Sequence, residues 1–154
     1  MTTGGTAWGA ALLRVILGVI FVMQGYLTLR VLGPDVAAGD IVRMGYPAWL
    51  SQALAWYLIL VHGIGGVLLL VGFWTRVVAL LQISIMASAF FLLHLAQGFF
   101  MGATLIDSPA GPRAIPVGYE YALLVLVATL AQALLGPGAC SLDERRATPK
   151  LKMP

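Results

Sequence analysis

The sequence predicts an all-α integral membrane protein, a bundle of four antiparallel helices, and two observations carry that prediction. Of the 154 residues, 60% are apolar and only 10% are charged, against roughly a quarter charged in soluble domains, and the mean hydropathy is +0.95. Four apolar stretches of about twenty residues, each the length of a hydrocarbon core, are separated by short links. They do not alternate as barrel strands do. Val67-Leu68-Leu69-Leu70-Val71 is apolar at every position, so the crossing elements are helices.

The spans fall at about 10–32, 50–73, 77–100 and 117–135 in a single domain over 1–142, with 143–154 a short basic tail. The first span is expected to be retained, because its apolar run exceeds that of a signal peptide and only Arg14 supplies an N-terminal charge. The loop that follows carries Ile41, Val42, Met44, Tyr46 and Trp49, enough apolar surface to lie on the membrane or to fold over the bundle as a lid. In the second span Gly63, Gly65 and Gly66, like Gly18 and Gly25 in the first, read as close helix contacts, since small residues let backbones approach in lipid. A tight link at 72–76 leads to the third span. The loop at 104–116 holds Pro109, Pro112 and Pro116 and is expected to be irregular.

Positive charge sets the orientation. Arg76 lies in the tight link and Arg145, Arg146, Lys150 and Lys152 in the tail, while the charges of the two longer loops cancel. Both termini are therefore expected on the cytoplasmic side of a prokaryotic-type inner membrane. The net charge of +3 belongs to this asymmetry and does not indicate nucleic acid as a partner. One cysteine, Cys140, excludes an internal disulfide, and two histidines are too few for a metal centre, so no metal is expected.

Particular residues at particular spacings resemble the DoxX family of small four-helix membrane proteins. Arg14 and Gly18, then Gly45 and Pro47, precede the most recognisable stretch, Gly65 to Arg76. His94, Gly98 and Phe99 follow, then Gly118-Tyr119-Glu120, Gly136-Pro137-Gly138 and Ser141-Leu142-Asp143. The resemblance covers about residues 12–143. Two positions depart from the family pattern: His62 stands where a glutamate is frequent and Gln24 where a histidine is. The resemblance implies a membrane subunit of a quinone-linked respiratory oxidoreductase, with quinone as the bound cofactor and a membrane protein partner or a homo-oligomer completing the machinery. The alternative is a non-catalytic accessory subunit of a larger membrane complex.

Polar side chains within a bilayer cost about 2.5–3.5 kcal/mol when charged at a helix centre, so the few present are the candidate site. His62 lies roughly 15 Å below the outer surface and His94 roughly 8 Å at 1.5 Å per residue. That difference in depth argues against a shared haem. Glu120 and His94 are expected to pair and exchange protons, although a carboxylate in a first helical turn is also favoured by the helix dipole alone. Gln24 and Gln97 are expected to be neutral hydrogen-bond partners of a flat ligand head, His62 to bond either that head or Gln24 from below, and Tyr119, Tyr121 and Phe99 to be walls. Arg14, Arg76, Gly65 and Gly66 are assigned structural roles, the arginines by snorkelling to phosphates and Arg14 alternatively by bonding Gln82 or Gln132.

Overall fold

A computed structural model describes residues 4–100, 102–108 and 111–147. Helix α1 (Gly4–Tyr26) continues through a π-helical turn, Leu27–Leu32. A short helix α2 (Pro34–Arg43) then leads into α3 (Ala48–Val71). Helix α4 (Thr75–Ala89) also runs into a π-helical turn, Phe90–His94, and ends in a 3-10 turn at Gln97. After a β-hairpin, α5 (Glu120–Leu135) and a short α6 (Leu142–Ala147) complete the described chain.

Close contacts show how the long helices run. On α1 and α3, Gly18 lies against Gly66 and Gly25 against Gly63, so one index rises as the other falls. The pairs Gln82–Val61 and Tyr57–Ser84 give the same antiparallel sense to α3 and α4. Phe90 against Tyr119 at one end and Arg76 against Gly136 at the other do so for α4 and α5. Helix α5 returns to α1 and closes the bundle. Leu17, Phe21, Leu69, Val78 and Val125, drawn from all four, form its centre. Outward, large apolar side chains such as Leu12, Ile64, Leu80 and Leu124 are exposed on every long helix, the surface that a bilayer covers and water would not. The protein is a multi-pass membrane helical bundle. Three helices, Gly4–Leu32, Ala48–Val71 and Thr75–Gln97, are long and apolar enough to cross a membrane. Helix α5 has 16 residues, about 24 Å at 1.5 Å per residue.

Backbone chemistry explains the turns. At the end of α3 the Gly72 N–H donates to Leu69 and the Phe73 N–H to Leu68, the crossed pair that ends a helix when a left-handed residue follows it. Gly72 has φ +69° and suits that role. Trp74 then adopts φ +50°, which is unfavourable for a side chain of its size.

Three expectations need correction here. The loop at 104–116 is not irregular, because strands β1 (Gly102–Ser108) and β2 (Gly111–Val117) pair antiparallel from Gly102↔Val117 to Ser108↔Gly111. Pro112 and Pro116 are four residues apart, an even spacing that puts both imide nitrogens on the same edge, and a two-stranded ribbon leaves one edge of each strand with no need of a donor. Pro109 lies outside the described residues. The fourth helix therefore starts at Glu120 rather than near 117, Val117 being the last strand residue. The tail is also more than a tail: α6 docks Asp143 onto the α3–α4 turn. Lys150 and Lys152 lie outside the described residues.

Helix α2 folds over the bundle, as one of the two expectations for the first loop has it, and leaves Val36 and Val42 exposed on its other side. Ala37, Ala38 and Ile41, spaced to share one helix face, are buried with Ala55 of α3.

Candidate functional site

Beneath α2 lies a cavity of about 380 Å³. Its walls come from α1 (Gln24, Thr28), α2 (Ala37, Asp40, Ile41), α3 (Leu58, His62), α4 and its π turn (Ile85, Ala89, His94), and the start of α5 (Gly118, Tyr121, Ala122). The site is thus built where the helices diverge under the lid. Both π-helical turns contribute, through Thr28 and Leu32 on one side and Leu93 and His94 on the other. Such turns widen a helix locally and redirect its side chains. Among the predicted residues Gln24, His62, His94 and Tyr121 meet in this one cavity.

His62 is the most constrained of them. It is 6% exposed, its ring stands edge-on to Phe21 at 5.2 Å between centroids, and its enclosed Nδ1 has only a loose contact with the Leu58 backbone one turn earlier. His94 Nδ1 lies 3.4 Å from Gln97 Oε1, a long contact within one turn of backbone. Gln97 and Phe99 are exposed and do not line the cavity. Phe99 and Tyr119 instead pack edge-to-face with each other at 5.4 Å, as Tyr119 does with Phe90. They brace the end of the α4 segment against the start of α5.

The expected pairing of Glu120 with His94 is not formed: neither a hydrogen bond nor an ion pair joins them. The geometry of α5 explains it. Its buried face carries Ala122, Val125, Thr129 and Gln132, and Glu120 stands about 200° round the helix from Ala122 at 100° per residue. Asp40 is the carboxylate on the cavity wall, and it also accepts a hydrogen bond from Arg43 at 2.8 Å. Sequence reasoning passed over it as one of several loop charges. The signal was its position on α2, three residues after Ala37 and one before Ile41, beside the apolar stripe.

A second polar cluster sits at the opposite end of the bundle and corrects the expectation for Arg14. This arginine does not snorkel. It is 2% exposed, and its Nη2 donates to the carbonyls of Ala139 and Cys140 at 3.4 Å each. Gln82 and Gln132, the alternative partners, donate instead to the carbonyls of Val61 at 2.8 Å and Gly136 at 2.6 Å. A Cβ on Gly72 would collide with the Arg14 guanidinium, so the glycine admits the cation to the carbonyl-rich end of α3, where positive charge is favoured. Asp143 completes the cluster: it accepts from the N–H groups of Trp74 and Thr75, both at 2.9 Å, and its own N–H donates to Gly72. Burial alone raises the Asp143 pKa, but those two N–H donors, with the Thr75 hydroxyl and the Arg146 charge, together outweigh it and hold the carboxyl below its usual range. The cluster also absorbs the strain at Trp74. Arg76 is exposed and packs beside Gly136. Gly65 lies against Val78 and Gln82.

The motif that opens the second half of α3 and the motif at the chain's end therefore meet in space, with Arg14 between them. A family model, DoxX, matches residues 9–95, more than half of the chain. The protein belongs to the DoxX family. The matched DoxX region contains Arg14, Gln24, Asp40, His62, Gly72 and His94, so it supplies most of the cavity and most of the Arg14 cluster; α5 and the terminal Asp143 lie beyond it. No curated protein and no solved structure shows significant similarity to the chain. Among the described residues of this DoxX protein no three His, Cys, Asp or Glu side chains group as a metal-binding set.

Proposed function

We propose that this DoxX protein is a membrane subunit of a quinone-linked oxidoreductase and that the cavity under α2 receives the quinone head. The observation that carries the reading is His62, a deeply buried imidazole on the wall of a cavity that also presents Gln24, Asp40 and His94. A cavity of about 380 Å³ lies within the usual range for small-molecule sites, about 300–1,000 Å³. The donor set also fits the group: His62 and Gln24 supply hydrogen bonds suited to carbonyl oxygens, and Tyr121 with the aliphatic wall supplies the flat apolar surface.

When bound, a quinone carries electrons and protons between membrane proteins. The chain's own part is to bind, orient and exchange protons. His62, fixed by Phe21 and deep in the bundle, holds the inner carbonyl; His94 and Asp40, nearer the lid, take up and release protons. Asp40 takes the role first assigned to Glu120, because Glu120 is not on the cavity wall. The electron donor is a partner protein. Placing both termini in the cytoplasm of an inner membrane puts the cavity in the outer half of the bilayer.

The test is mass spectrometry of protein extracted in mild detergent, which should show co-purified quinone. His62→Leu should abolish that occupancy without loss of fold, because it replaces the imidazole by an apolar side chain of similar size in an apolar surrounding. His94→Ala and Asp40→Asn should slow quinone-dependent turnover by about 10²- to 10⁴-fold, the range for a lost acid or base. Absence of quinone from wild-type protein, together with a stoichiometric protein partner, would leave the accessory-subunit reading in its place.

A further inference from the structure

A second cavity, of about 230 Å³, adjoins the first. The two share Ile41, Met44, Leu58, Ile85 and Ala89 as walls, yet their chemistry is opposite. The first presents an imidazole, an amide and a carboxylate, from His62, Gln24 and Asp40. The second is bounded by hydrocarbon, and the hydroxyls on its rim are already paired: Tyr46 with Ser88 at 3.1 Å and Tyr57 with Ser84 at 3.2 Å. A ligand in it would find hydrophobic contact and little reason to bring a polar group. Tyr57 and Ser84 are exposed, so this rim opens between α3 and α4 on the lipid-facing side of the bundle.

A polar chamber and an apolar chamber separated by one layer of side chains fit a ligand with a polar head and a hydrocarbon chain. We infer that the second cavity holds the isoprenoid chain of the quinone whose head occupies the first, and that the chain leaves to the bilayer between α3 and α4. This inference rests on the proposed function above and adds the substrate class: a lipid-soluble, long-chain quinone. An apolar cavity of about 150 Å³ accepts a benzene ring, so 230 Å³ accommodates the first part of an isoprenoid chain. Met44, unbranched and adaptable, is the wall residue best suited to move aside and join the two chambers.

The chain moves from lipid to protein, so its contribution is contact rather than escape from water, and a preference of roughly tenfold is expected. The measurement is equilibrium binding to the full-length protein in nanodiscs, comparing a chainless benzoquinone with the same ring carrying a decyl chain. Wild-type protein should bind the decyl form about tenfold more tightly. Leu54→Trp and Ser88→Ile fill the second cavity alone, since neither residue lines the first. Each should bring the two affinities together while leaving that of the chainless ring unchanged, which also shows that the variants fold. If both rings bind wild-type protein equally, or if neither variant alters the preference, the chain chamber is wrong and the head site stands. If neither ring binds wild-type protein, the head site fails and the chain chamber falls with it.

Discussion

Asp143 shows how much one side chain can organise. It caps the start of α4 from the far end of the chain, holds Trp74 in a left-handed conformation and brings α6 against Gly72. Replacing a capping carboxylate costs about 0.5–2 kcal/mol. Asp143→Ala should lower the thermal unfolding midpoint in detergent accordingly, because the strained Trp74 loses its support as well. Acid should do the same to the wild-type protein. The folded carboxyl lies below its ordinary range, so its contribution is fully present above the unfolded pKa of about 3.9 and is lost as pH falls through the lower folded value. Melting curves across that acid window should slope for wild type and flatten for Asp143→Asn. An unchanged slope would mean that the tail is not coupled to the α3–α4 turn. None of this was legible in Ser141-Leu142-Asp143 as read along the chain, because the partner N–H groups lie nearly seventy positions away.

At the scale of elements, the helices were readable because each span has to satisfy its own backbone in lipid and be apolar enough to stay there. Packing followed in part. The glycines of α1 and α3 mark the closest backbone approach: a Cβ on Gly66 would come within 2.7 Å of the Val22 nitrogen, and one on Gly25 within 2.6 Å of the Gly63 nitrogen. Neither neighbour is a flexible side chain that can yield. Gly66→Leu should therefore push α1 from α3, lower stability by about 1–3 kcal/mol or more, and be scored by unfolding in detergent against Gly39→Leu, an exposed position with open space around it. Equal tolerance of the two substitutions would contradict this contact. The hairpin escaped notice for a different reason. Proline density reads as an irregular loop along the chain, whereas a ribbon only two strands wide leaves one edge of each strand free of the need to donate.

For the whole molecule, orientation remains the prediction with the widest consequence. By the positive-inside rule, Arg76 and the basic tail are expected to put both termini and the α3–α4 turn in the cytoplasm. A cysteine substituted at Asp107 in the β-hairpin should react with an impermeant thiol reagent applied to intact cells, and Cys140, exposed at the opposite end, should not. Labelling of Cys140 under those conditions would reverse the bundle and move the cavity to the cytoplasmic half. The sequence by itself determined the membrane class and the helical fold, since hydropathy and helix length answer to the bilayer, a solvent that acts on every residue alike. It also put His62, His94, Gln24 and Tyr121 toward one end of the bundle, because depth is proportional to position along a helix. Only the tertiary structure decided which of these share a cavity, that Asp40 lies on its wall and Glu120 does not, and that Arg14 is buried against the chain's end. Those outcomes depend on how each helix is rotated about its axis and on contacts between residues far apart in sequence. A composition dominated by apolar residues on every face does not encode that rotation.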